Sequence, residues 1–336
     1  MKIWIGTYTT GTSSKGVYEA ALDPSAGALT GLRAAGEAPD PSYLLRAPDV
    51  ESLYAVCECP AFMDAPGGGV MRFSVAKDGA LVPREALPSG GGAPCHLARS
   101  GDGRLLAVAN YADGTVSVYA LAADGALRAP VASLRYAAKG PDAARQECAH
   151  AHFCAFAGDV LLCCDLGADR VRRYDARAWK ELSPVLLPPG SGPRHLLLRP
   201  DGGLCVVSEL TSELFTLLPD GRGGYFIADA QPCLPAGAGE SWAAALRQGP
   251  DGRLFVSNRG HDSVAVFRLD ARGLPVREGV YPCGGAYPRD LLAAGEDCLL
   301  CACQGSGEVT CLRRTAAGWK VASRLAVPAP VCLTAA

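Results

Sequence analysis

The chain has 336 residues, 49% of them hydrophobic and 20% charged, with a formal net charge of −2. Balanced charge without a run of like charges argues against nucleic acid or an anionic membrane as the main partner, and no stretch of about 18 apolar residues is present to cross a membrane as a helix. The N-terminal MKIWIGTYTTG lacks the apolar core and cleavage site of a signal peptide. Fifteen cysteines, an odd count and mostly inside apolar runs, read as buried free thiols of a reduced, cytoplasmic protein.

In chain order, seven short apolar runs each end on a polar residue: WIGT at Thr7, LYAVCE at Glu58, LLAVAN at Asn110, LLCCD at Asp165, LCVVSE at Glu209, LFVSN at Asn258 and LLCACQ at Gln304. Their spacings are 51, 52, 55, 44, 49 and 46 residues. Ahead of them recurs Pro-x-x-Leu, as PSYL (41–44), PCHL (94–97), PRHL (193–196) and PRDL (288–291). AHAHF (149–153) fills the same slot one residue short, and SWAAAL (241–246) fills it in degenerate form. Asp-Gly pairs between apolar runs mark tight turns, and no long 3.6-residue apolar period marks a helix. The first run has no slot before it, and the last slot, PVCL (330–333), has no run after it. The two halves fit if the chain closes into a ring. The predicted fold is therefore all-β: a single domain over residues 1–336, a seven-bladed β-propeller of four-stranded antiparallel blades. Pairing of the N- and C-terminal strands closes the ring.

In such a ring the slot strand is expected to be innermost, and slot starts and run ends crowd one mouth of the channel. From the slots come His96, His150, His152, Arg194, His195, Arg289 and Asp290. From the run ends come Glu58, Asn110 with Tyr111, Asp165, Glu209, Asn258 with Arg259, and Gln304. Spacing sets His152 level with His96 and His195. Converging ionisable groups in a concave mouth describe a cationic pocket with embedded carboxylates, suited to a small anionic molecule. Trp242 and His261 read as structural. The oligomeric state is not encoded in these features.

The segments GGAPCHLARSGDGRLLAVANYADGTVSVY, HAHFCAFAGDVLLCCDLGADRV, GSGPRHLLLRPDGGLCVVSEL, LFVSNRGHDSVAVF and PRDL…CACQGSG resemble the seven-bladed propeller lactonase family. That family holds propeller-type 6-phosphogluconolactonases and fungal 3-carboxy-cis,cis-muconate lactonizing enzymes. The resemblance spans GTYT (6–9) to PVCL (330–333). It implies an active site of His150 or His152, Arg194, Glu209 and Arg259. One departure is Ala149, where the family usually has proline before the first histidine.

Lactone hydrolysis needs an activated water and a stabilised oxyanion. Glu209 is the expected general base, with Arg194 or Arg259 facing the oxyanion. His152 would protonate the leaving alkoxide. Arg289 and His96 are candidates to hold a phosphate or carboxylate, and Asn110 and Tyr111 suit sugar hydroxyls. The expected substrate is 6-phospho-D-glucono-1,5-lactone, of the pentose phosphate pathway. The alternatives are a carboxymuconate-type cycloisomerase and a non-catalytic propeller that binds a protein. No cofactor is expected, since neither Gly-x-Gly-x-x-Gly nor a P-loop occurs. No metal is expected either: His-x-His supplies only two ligands and channel arginines would repel a cation.

Overall fold

The computed structural model describes residues 1–336, in seven four-stranded antiparallel sheets and one small hairpin at Ala61–Phe62 and Ala65–Pro66. There is no α-helix, only the 3-10 turns Pro48–Val50 and Leu166–Ala168. Blade 1 carries the closure. Its inner strand, Pro330–Ala335, comes from the C-terminus and pairs with Lys2–Thr7, with Ile5 opposite Leu333. The next six blades begin on the inner strands Leu44–Ala47, Pro94–Arg99, Ala151–Ala157, Pro193–Leu198, Trp242–Gln248 and Pro288–Ala293. Each inner strand packs against those of the two neighbouring blades, so the seven together line the central channel.

The second strand of each blade explains the uninterrupted apolar runs. A strand covered on one face alternates apolar and polar residues, whereas one covered on both faces does not. In Leu105–Asn110, Leu106 and Val108 pack toward blade 2 with Tyr54 and Val56. Ala107 and Ala109 pack toward blade 4 with Leu161 and Cys163. In Lys2–Thr7, likewise, Ile3 and Ile5 join Leu300 of blade 7, and Trp4 joins Leu53 of blade 2. There are seven such apolar clusters, one at each interface between blades. The ring therefore has no free blade face. All fifteen cysteines are free thiols; thirteen are buried in these layers, Cys95 is buried at the channel mouth, and Cys148 alone is half-exposed.

Candidate active site

The residues at the channel mouth are placed by a repeated irregularity. In six of the seven blades the ladder between the inner strand and its neighbour slips by one residue near its start. Pro94 faces Asn110 but His96 faces Ala109; Pro193 faces Ser208 but His195 faces Val207; Pro288 faces Cys303 but Asp290 faces Ala302. The residue between is left unpaired, and a bulge of this kind re-aims its side chain. Cys95, Arg194 and Arg289 reach the mouth this way.

In blade 4 the slip falls between Ala151 and Phe153, so the mouth residue is His152. This corrects the expected level. His152 stands with Arg194 and Arg289, and Phe153 takes the position of His96 and His195. The cause is a shorter hairpin: Ala157 pairs with Val160 across a two-residue turn at Gly158, whose φ is 59°. Blade 5 instead crosses from Leu198 to Leu204.

A second ring comes from the ends of five second strands: Tyr8, Glu58, Tyr111 and Glu209 just past theirs, and Arg259 as the last residue of its own. The residue one step earlier has a different task. Asn110 Nδ2 donates to Ser89 O at 3.2 Å, Asn258 Nδ2 to Cys233 O at 3.1 Å, and Asp165 Oδ1 accepts His150 N at 3.0 Å. These side chains fasten loops between blades. Asn110, expected to meet sugar hydroxyls, is turned away from the cavity.

The two rings and Arg145 bound a cavity of about 210 Å³. At its centre Glu209, only 2% exposed, is the meeting point of three arginines. Its Oε2 lies 2.8 Å from Arg194 Nε and 2.8 Å from Arg259 Nη2, and its Oε1 accepts from Arg145 Nη2. Burial alone would raise its pKa, but the Arg259, Arg194 and Arg145 guanidiniums overcome that and hold it far below the carboxylate range. A carboxylate so stabilised is a poor proton acceptor, which speaks against the general-base role expected for Glu209. Arg194, buried and beside Arg259, is pushed down to about 9 and remains a cation at neutral pH.

His152 lines this cavity, with its Nδ1 buried and unpartnered in the protein. Burial, with Arg194 beside it, lowers its pKa well below 6.5, so the imidazole is neutral at pH 7. A neutral ring can accept a proton before it gives one, and it is not the resting acid that its residue type suggested. Arg289 differs from the other arginines. Its nearest carboxylate oxygen, on Glu58, is 3.8 Å away, beyond hydrogen-bond range. Its guanidinium lies 5.3 Å from the centre of the Tyr8 ring, and Tyr8 Oη donates to Glu58 at 2.9 Å.

The remaining expected residues lie outside the cavity. His96 and His195 sit deeper in the channel, in an aromatic plug where His96 meets Tyr43 at 4.1 Å and Phe153 at 3.7 Å between ring centres. His195 acts from below: its Nε2 accepts from Arg194 Nη1 at 3.1 Å. His150 faces away. Its ring stacks on Tyr111 at 4.3 Å, and its Nδ1 lies 2.9 Å from Tyr111 O. Asp290, level with His195, binds Arg247 Nη2 at 2.7 Å and Leu333 N at 2.9 Å.

Arg145 is the cavity residue that no repeat announces. It belongs to the stretch 136–150, the longest connection between strands in the chain, and connections of that length are commonly functional. Gln146 pins the stretch by donating to Leu166 O at 2.9 Å and Asp169 Oδ1 at 2.7 Å. Tyr8 and Cys95 could have been found from the repeat, as the blade 1 counterpart of Tyr111 and the blade 3 counterpart of Arg194.

The chain is a closed seven-bladed β-propeller with a cationic pocket at its mouth. The chain belongs to the seven-bladed β-propeller lactonase family, whose model matches residues 2–335. It is thus a hydrolase of lactone esters. The 6-phosphogluconolactonase of Bacillus subtilis is 29% identical, over 98% of this chain and 97% of its own. The solved periplasmic gluconolactonase PpgL of Pseudomonas aeruginosa superimposes with a TM-score of 0.91 at 30% identity, covering 99% of this chain and 98% of that one. A putative 6-phosphogluconolactonase from Bacteroides fragilis gives a TM-score of 0.87 at 27% identity, covering 99% and 97%.

Proposed function

We propose that the substrate is a phosphorylated sugar lactone, 6-phospho-D-glucono-1,5-lactone, hydrolysed to 6-phosphogluconate. The observation that carries this reading is Arg289. Four arginines and two carboxylates, Glu58 and Glu209, surround the cavity. Three of the arginines each give a donor to Glu209, and Arg289 alone has no carboxylate within hydrogen-bond range, which leaves its whole guanidinium open to a ligand anion. A planar guanidinium with open N–H groups is suited to phosphate.

With the phosphate on Arg289, the lactone carbonyl lies toward Arg194 and Arg259. Neutral His152 takes a proton from water as the water oxygen bonds to the carbonyl carbon. The oxyanion that forms faces the two arginines, which Glu209 holds in place before reaction, so no reorganisation is needed at that moment. The intermediate then re-forms its C=O bond and breaks the ring C–O bond. His152 returns the proton to the leaving alkoxide. Proton and electron pairs balance with no cofactor.

The test compares freshly generated 6-phosphogluconolactone with unphosphorylated gluconolactone, each against its spontaneous rate. Arg289→Met is expected to lower kcat/KM for the phosphorylated substrate about thirtyfold, since a hydrogen bond to a charged group contributes about 2 kcal/mol, and to leave the unphosphorylated one within about threefold. Equal losses on both substrates would remove the phosphate from Arg289. A wild-type rate no faster than buffer would end the assignment of this substrate.

A further inference from the structure

We infer that Glu147, Cys148 and His150, on the outer side of the mouth, form a binding site for a borderline divalent transition ion, with zinc the best match. Their ligand atoms all lie within 4.8 Å of one another. Glu147 Oε1 is 3.3 Å from His150 Nε2, and Cys148 Sγ is 3.9 Å from both ring nitrogens of His150. Ligands about 2.0–2.3 Å from a tetrahedral zinc stand roughly 3.3–3.6 Å apart, so the ion needs the exposed Glu147 to close in and the half-exposed Cys148 thiol to turn toward the Nε2 side of the ring.

The histidine is already prepared. Its Nδ1 faces the Tyr111 carbonyl at 2.9 Å, its ring is stacked on Tyr111, and its backbone N–H is held by Asp165. A ligating histidine commonly donates its second ring N–H to a backbone carbonyl, which fixes the tautomer and presents the other nitrogen to the metal. Here that contact leaves Nε2 as the lone-pair nitrogen, 3.3 Å from Glu147 Oε1. The ring is 4% exposed by side chain, so it cannot easily turn away.

Of the channel arginines, Arg145 is the one whose charge acts on Glu147. His150 lies outside the cavity, and Arg145, the nearest of those arginines in sequence, is engaged by Glu209. The charged groups acting on Cys148 are Glu147, Asp165 and Asp113, all acidic; of these Asp165 is itself paired with Arg172 at 2.9 Å. Cys148 is also the one cysteine that is not buried. On binding, its S–H proton passes to solvent and the thiolate joins the carboxylate and imidazole, leaving a fourth position to water. The ion would brace Tyr111 and the connection that carries Arg145.

Cobalt(II) titration of the reduced, chelator-stripped full-length protein tests the site, with zinc displacing the cobalt. The expected result is one cobalt per chain with thiolate-to-cobalt charge-transfer absorption. Cys148→Ser is expected to abolish that absorption, and Glu147→Gln to keep it while lowering affinity about tenfold. Absence of the band in the wild-type protein, or a band unchanged in Cys148→Ser, would overturn the inference. The readout is spectroscopic, so it stands apart from the identity of the lactone.

Discussion

Glu209→Gln is expected to cost at least a hundredfold in kcat/KM for the lactone and to destabilise the fold in the same step. The carboxylate sits between Arg145, Arg194 and Arg259, and Arg194 and Arg259 are almost fully buried. Glutamine keeps the shape but removes the charge, leaving cations packed together without compensation. Breaking a buried pair by removing one partner typically costs about 3–5 kcal/mol. The arginines that face the oxyanion would then lose their fixed positions, and loss of one such preorganised donor costs roughly 100–1,000-fold in kcat. His152→Gln separates the two roles. It is expected to lower kcat about a hundredfold by removing the proton shuttle, with the unfolding midpoint close to wild type. If Glu209→Gln loses activity but no stability, Glu209 is acting on water and not on the arginines. If His152→Gln keeps full kcat, the shuttle lies elsewhere.

The second large effect is acid lability that begins above the carboxylate range. His96, His152 and His195 are buried, and burial first, then Arg247 and Arg194 for His96, and Arg194 for His152 and His195, lower all three well below the ordinary 6.5. As pH falls through 6.5 the unfolded chain binds protons at these positions and the native chain does not. Stability therefore rises with pH in this window and is lost on acidification. One histidine kept neutral in the native state costs about 1.4 kcal/mol by pH 5.5, and three cost about 4 kcal/mol. Glu209 adds loss of the same sign only below its unfolded range near 4.5. Urea unfolding at pH 7.5, 6.5 and 5.5 measures this. His96→Phe, which preserves the ring between Tyr43 and Phe153, is expected to reduce the slope by about a third. Equal stability at pH 7.5 and 5.5 would show that the channel histidines accept protons in the native state.

Much of the site was legible because the repeat is geometric. Arg194, Arg259, Arg289 and Glu209 occupy related positions in different blades, and a closed ring brings such positions to one rim whatever fills them. The same logic misassigned His152 for a specific reason. Side chains alternate faces along a strand, so a hairpin shorter by a single residue changes which of two neighbours meets the channel. The turn at Gly158 did that, seating His152 beside Arg194 and putting Phe153 in the plug. It also turned His150 out of the cavity, although His150 and His152 are one residue apart in sequence.

By itself the sequence determined the class of fold, the number of blades, the closing of the ring on its own termini and the end of the channel that carries the charge. These follow from the period of apolar runs, which reports burial on both faces of each blade, a property that local residues and their spacing encode. Only the tertiary structure decided which side chains touch. Arg145 comes from a connection outside the repeat, and its contact with Glu209 spans 64 positions. The pKa values of Glu209 and His152 likewise depend on three-dimensional burial and on arginines from other blades. That placement made Glu209 the anchor of a cationic cluster and left His152 a buried, neutral imidazole.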